Sequence, residues 1–149
     1  MSNLLFRVGI SLGLIGVTGG IIMGIMQDFR LAPAHAHLNL VGFVILFLAG
    51  LYYRVVPQAA ASQLARYQVA VSILGAVVFP VGIAAVTLGK HETWAPLVIF
   101  GSLIVLAGLL MFATVVFQST KARRRGSGWH RSPRERQQFL AGTCSLRPG

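Results

Sequence analysis

Charged residues are scarce in this chain, and their scarcity excludes an ordinary soluble domain. Only 11% of the 149 residues are charged, while 55% are hydrophobic. A soluble globular domain has about 25% charged residues. The apolar segments contain no pair of carboxylates for acid–base catalysis, and the chain has no phosphate-binding glycine loop and no nucleophile set. We therefore assign no catalytic residues and leave open whether the chain is part of an enzyme.

Cysteine is almost absent as well. The single Cys144 cannot form a disulfide within the chain. It lies in a basic C-terminal segment, far from other candidate ligands, and we expect a free thiol there.

The apolar residues are concentrated in four long blocks. A helix that crosses a bilayer needs about 20 mostly apolar residues, and the blocks cover about residues 4–26, 37–56, 67–88 and 95–117. The first block is too long for a signal-peptide core and is kept as a mature helix. We predict an all-α integral membrane fold, with an up-down bundle of four transmembrane helices in residues 1–118.

The basic residues orient this bundle. Four spans place the N-terminus, the second loop and the C-terminus on one side, which holds eleven of the 13 Lys and Arg residues. Only Arg30 and Lys90 lie on the other side. The positive-inside rule makes the basic side cytoplasmic. The expected location is a bacterial inner membrane, with both termini in the cytoplasm.

Residues 119–149 form a predicted basic cytoplasmic tail. Eight of the 13 basic residues lie from Lys121 onward, and a cluster next to a membrane binds anionic headgroups with about 1 kcal/mol per residue. The composition predicts disorder for the tail. We expect a lipid partner for it and no nucleic acid.

Glycines recur along the first block at helical spacing. Five of them share one helix face: Gly9, Gly13, Gly16, Gly20 and Gly24. In lipid, small residues allow close helix packing, which is the favoured interpretation. The alternative is a smooth face that makes space for a flat cofactor. Pro80 in the third block predicts a kink, which serves either packing or the opening of a pocket.

Three of the four histidines are predicted to share the outer face. His35 and His37 precede or open the second span, and His91 lies in the predicted loop 89–93. Neutral imidazole is a common ligand of transition metals and haem iron, so these three are the candidate ligands of a metal centre. A ligating histidine usually donates its other N–H to a neighbouring acceptor, and the candidate partners are Asp28, Asn39 and Glu92. The competing interpretation is that polar histidines simply occupy the membrane surface.

The local backbone decides what His35 and His37 can do together. If the helix begins near Pro33, which suits a first helical turn, the two rings point about 200° apart and cannot chelate one ion. If the segment is extended, both rings fall on one face and joint chelation is feasible.

Trp94, Tyr52 and Tyr53 are predicted to be interfacial anchors.

The second span carries a motif that resembles a known family. H-A-H-L-N-L-x-G-F at His35 to Phe43, followed by G-L-Y-Y-R-x-x-P at Gly50 to Pro57, is similar to small four-helix membrane proteins of the haem-copper (cytochrome c) oxidase subunit I superfamily. Met23 to Asp28 and His91 to Pro96 add to the likeness. The resemblance implies haem or copper binding through His35, His37 and His91. A full oxidase subunit has about twelve helices, so oxidase activity is not implied.

The expected role is electron transfer, redox or gas sensing, or support of a respiratory complex. The chain would act as a homo-oligomer or beside a larger respiratory membrane complex. The alternative is a metal-free structural or assembly partner that uses the glycine face. A small transporter is disfavoured, because the span centres lack the ionisable residues that mark substrate pathways.

Overall fold

The structure is a computed structural model and describes residues 1–89 and 91–126. Regular secondary structure in these ranges is helical throughout. Four helices are long and apolar enough to cross a membrane. We label them α1 (Ser2–Met26), α2 (Ala32–Val55), α3 (Gln63–Leu88) and α4 (His91–Gly126). A one-turn helix, Pro57–Ala60, separates α2 from α3.

The chain divides by its contacts into the units Met1–Ser119 and Thr120–Gly149. The four-helix arrangement belongs to the first unit. Of the second unit, residues 120–126 are described as the end of α4. The predictions for the rest of the basic tail, including its disorder and the free thiol of Cys144, lie outside the described residues.

All four helices begin earlier than the hydrophobic pattern predicts, and two of these starts concern the histidines. α2 starts at Ala32, with Pro33 in its first turn, where the missing N–H of proline is no loss. α4 starts at His91, so the prediction of a loop is wrong for residues 91–93. The acidic Glu92 lies in the first turn of α4, where a negative charge interacts favourably with the helix dipole.

α1 and α2 pack closely through the glycines of α1. A Cβ on Gly13 would lie 2.9 Å from Phe43 Cγ, and one on Gly16 would lie 2.5 Å from Asn39 Oδ1. Both distances are too short for a real side chain, so glycine permits this approach. The packing interpretation of the stripe is confirmed up to Gly20. A Cβ on Gly24 would meet no atom within 4 Å, so Gly24 takes no part. α2 therefore covers this face of α1 from Gly9 to Gly20.

The middle of α2 is π-helical. Leu38–Ile45 forms a π-helix between the α-helical turns Ala32–His37 and Leu46–Val55. π-Helical segments are rare and occur frequently at functional sites. This one begins directly after His37. It includes Asn39 and Phe43, which face the glycines of α1.

α3 packs against α4 through a second set of glycines. A Cβ on Gly101 would lie 2.8 Å from the Cα atom of Phe79, and one on Gly82 would lie 3.1 Å from the backbone nitrogen of Val98. The backbones of α3 and α4 therefore approach directly at this level. Pro80 lies between these contacts and is buried.

A buried chain of polar side chains joins α2 to α3. The Tyr53 hydroxyl donates to Gln68 Oε1 at 2.8 Å, and Gln68 Nε2 donates to Ser72 Oγ at 2.8 Å. Tyr53 is 2% exposed and Gln68 1% exposed. Tyr53 is thus a core residue, not the interfacial anchor that the sequence predicts. The signal that was missed is Gln68 and Ser72, four residues apart in an apolar helix, where polar groups need partners.

Candidate functional site

His35 is held against α1 by a backbone hydrogen bond. Its Nδ1 lies 2.8 Å from the carbonyl oxygen of Gly16. A carbonyl oxygen only accepts, so Nδ1 carries the proton and donates it to this bond. In the neutral ring, Nε2 then carries a lone pair. A histidine that binds a metal is commonly oriented in this way, by an acceptor on its other nitrogen.

Gly20 provides the space for the His35 ring. A Cβ on Gly20 would lie 2.7 Å from His35 Cε1 and 3.2 Å from Nε2. No side chain other than hydrogen fits there without moving the ring. The ring therefore lies in a notch on α1 whose floor is Gly16 and Gly20.

Asn39 lies one turn after His35 and supports the same arrangement. Its Nδ2 donates to the His35 carbonyl oxygen at 3.0 Å. The same nitrogen is 3.3 Å from Nδ1 and 3.5 Å from Nε2 of the ring. The structure thus places Asn39 beside His35, but the acceptor of the ring N–H is the Gly16 carbonyl and not Asn39.

A cavity of about 240 Å³ opens next to this ring between α1, α2 and α3. Among the described residues that line it, His35 is the one ionisable side chain, and most of the others are aliphatic. Pro80 and Val81 of α3 are among the residues that line it. Gly19 of α1 lines it as well, and a Cβ on this glycine would meet no atom within 4 Å. An imidazole thus lines an otherwise apolar space between three helices.

His37 points to a different neighbour. Its Nδ1 is 2.8 Å from the carbonyl oxygen of Pro33 in the preceding turn. Its ring packs edge to face on Phe79 of α3, with the ring centroids 4.9 Å apart. Because the segment is helical, the two imidazoles diverge as the helical alternative predicts. His35 and His37 do not form a joint chelate in this conformation.

The remaining predicted site residues are not among the lining of the cavity or are only partly described. The side chain of His91 lies outside the described residues, and Glu92 is exposed at the start of α4. Among the described side chains, no three His, Cys, Asp or Glu residues lie close enough together to hold a metal ion. The predicted set of His35, His37 and His91 therefore stays a prediction.

Asp28 is paired with Arg30 in the turn between α1 and α2. Arg30 Nη2 lies 2.6 Å from Asp28 Oδ2, and the Arg30 backbone N–H donates to Oδ1 at 3.1 Å. These hydrogen bonds, led by that of the Arg30 side chain, lower the pKa of Asp28 from 3.8 to about 2. The Asp28 carboxylate therefore binds Arg30 within this turn.

This pairing predicts a pH dependence that is confined to acid. The contribution of the Asp28–Arg30 pair to the turn is complete above pH 3.8 and is lost as the pH falls towards about 2. A carboxyl ¹³C NMR titration should give a midpoint near 2 for Asp28 in the native chain. In Arg30→Gln the midpoint should rise towards 3.8. An unchanged midpoint in Arg30→Gln would show that the pair does not form.

Sequence reasoning overlooked Met23 as part of this site. Met23 lines the same cavity as His35 and is 9% exposed. The available signal was its position on the glycine stripe, three residues after Gly20.

Comparisons with known proteins add no family to this geometry. No protein-family model, no curated protein and no solved structure matches the chain.

Proposed function

We propose that this chain is a small membrane protein that binds one copper ion through Nε2 of His35. The observation that carries the proposal is an imidazole with its Nδ1 fixed on the Gly16 carbonyl, lining an apolar cavity. This leaves the lone pair of Nε2 as a donor of the kind that copper prefers. The resemblance of His35 to Phe43 to haem-copper oxidase-like proteins supports the same chemistry.

The size of the cavity favours copper over haem. Pockets that enclose organic cofactors or drug-sized ligands measure about 300–1,000 Å³, and this cavity measures about 240 Å³. The cavity lies below this range, and a single ion needs much less space than a porphyrin. When bound, copper would supply one-electron redox chemistry.

The cellular location and role that we propose are those that the sequence leads us to expect. The protein would lie in a bacterial inner membrane with both termini in the cytoplasm, and its basic tail would contact anionic lipid. There it would serve electron transfer, redox or gas sensing, or support of a larger respiratory complex, as a homo-oligomer or beside that complex. The chain carries no complete oxidase.

A metal titration of the purified protein tests the proposal. We expect one Cu(I) per chain when the detergent-solubilised protein competes anaerobically with a chromophoric copper chelator. A parallel titration with haemin should give no stoichiometric Soret band. A haem stoichiometry of one without copper binding would overturn the preference for copper. Binding of neither would overturn the proposed function and favour the metal-free assembly partner.

A further inference from the structure

We propose that Met23 is the second ligand at the His35 cavity and that its thioether makes the site selective for Cu(I). This inference rests on the proposed function, because it concerns the same ion. It names a second ligand and the oxidation state of the bound copper, neither of which follows from the pattern of histidines.

The helix geometry brings the Met23 side chain towards His35. The Cβ position of Gly20 lies 3.2 Å from His35 Nε2. Met23 follows three residues later, and side chains at this spacing have Cβ atoms about 5–6 Å apart on one helix face. Side chains on a helix also lean towards its N-terminus, over the preceding turn. These general preferences place the expected position of the Met23 thioether over the turn of Gly19 and Gly20, which carries no competing side chain.

Burial separates Met23 from the other methionine of this helix region. Met23 is 9% exposed and lines the cavity. Met26, at the last turn of α1, is 70% exposed. A methionine in a core often fills space only, and that alternative predicts that leucine replaces Met23 without any effect on copper.

The chemistry of the two donors points to the reduced ion. Thioether sulfur is a soft ligand that selects Cu(I) over harder divalent ions. The cavity wall is otherwise apolar, and burying a charge in such surroundings costs less for a monovalent than for a divalent ion. A site of one imidazole and one thioether is therefore expected to bind Cu(I) in preference to Cu(II) and Zn²⁺.

The experiment compares Met23→Leu with the matched control Met26→Leu. Exchange of methionine for leucine conserves volume and is tolerated well in cores. Loss of an outer-shell partner alone weakens metal binding about 10–100-fold, so we expect at least about a 10-fold loss of Cu(I) affinity in Met23→Leu. Met26→Leu should bind like the native chain. Circular dichroism of both variants checks the fold.

Copper K-edge X-ray absorption on the native protein provides a readout independent of any variant. We expect both nitrogen and sulfur scatterers in the native protein, and loss of the sulfur scatterer in Met23→Leu. Native affinity in Met23→Leu, or a native spectrum without sulfur, would overturn the role of Met23 while leaving copper binding at His35 intact. A native chain that binds no copper would overturn both proposals.

Discussion

Replacing His35 with glutamine is expected to lower the Cu(I) affinity at least about 100-fold, the upper end of what the loss of an outer-shell partner costs. The reason is that the substitution removes Nε2, the ring nitrogen left as acceptor when Nδ1 donates to Gly16. A glutamine amide can still donate to the Gly16 carbonyl, so the packing of α1 on α2 should change little. The measurement is an anaerobic competition titration, with the melting temperature of each variant recorded beside it.

His37→Gln is the matched control for this prediction. His37 is two residues away on the same helix, but its ring packs on Phe79 and its Nδ1 is bonded to its own preceding turn. The Cu(I) affinity of the His37→Gln variant should equal that of the native chain. Equal losses in both variants would place the ion elsewhere, for example at a site that draws on the side chain of His91. A loss in His37→Gln alone would rule out the His35 cavity as the copper site.

The four helices were predictable because the length and the apolar composition of a segment are enough to indicate a membrane-spanning helix. Four apolar blocks of membrane-spanning length predict four long helices, and the structure contains them. Their ends were less predictable. The hydrophobic pattern does not identify Ala32–His37 or His91 as helical. These first turns are stabilised by the position of proline and by the helix dipole, and not by apolar burial.

The neighbours of each histidine were not predictable from spacing alone. The helical alternative correctly separates the rings of His35 and His37, but it cannot tell which helix each ring meets. That depends on the π-helical segment Leu38–Ile45 and on the rotation of α2 against α1, which no local pattern encodes. Asn39 beside His35 was predictable, because residues four apart share a helix face. The spacing places Met23 on the same face of α1 as Gly20, but it does not place it beside His35, because that ring lies on another helix.

The glycine stripe shows the same division between pattern and packing. The spacing predicts that one face of α1 meets a neighbour, and it does. The spacing does not reveal that the contact with α2 ends at Gly20, leaving Gly24 open. Only the crossing of the two helices decides which glycines are required, and this difference can be measured.

Gly20→Ala is expected to be less stable than Gly24→Ala by about 1–3 kcal/mol, the usual cost of overpacking. Both variants gain about the same helix propensity from alanine, so that contribution cancels in the comparison. The remaining difference is the surroundings of the new methyl group. At position 20 it would lie 2.7 Å from His35 Cε1, and at position 24 it would meet no atom within 4 Å. Equilibrium unfolding in mixed detergent micelles with increasing dodecyl sulfate gives the free energy of unfolding of each variant.

The same pair separates a packing role of the notch from a role in metal binding. If the His35 ring must lie over Gly20 to present Nε2 to the cavity, Gly20→Ala should weaken Cu(I) binding about 10–100-fold, as the loss of an orienting contact does. Gly24→Ala should bind like the native chain. Lost stability with native affinity would show that the ring can leave the notch and still bind the ion. That result would contradict the orientation of His35 by Gly16 as the basis of the site.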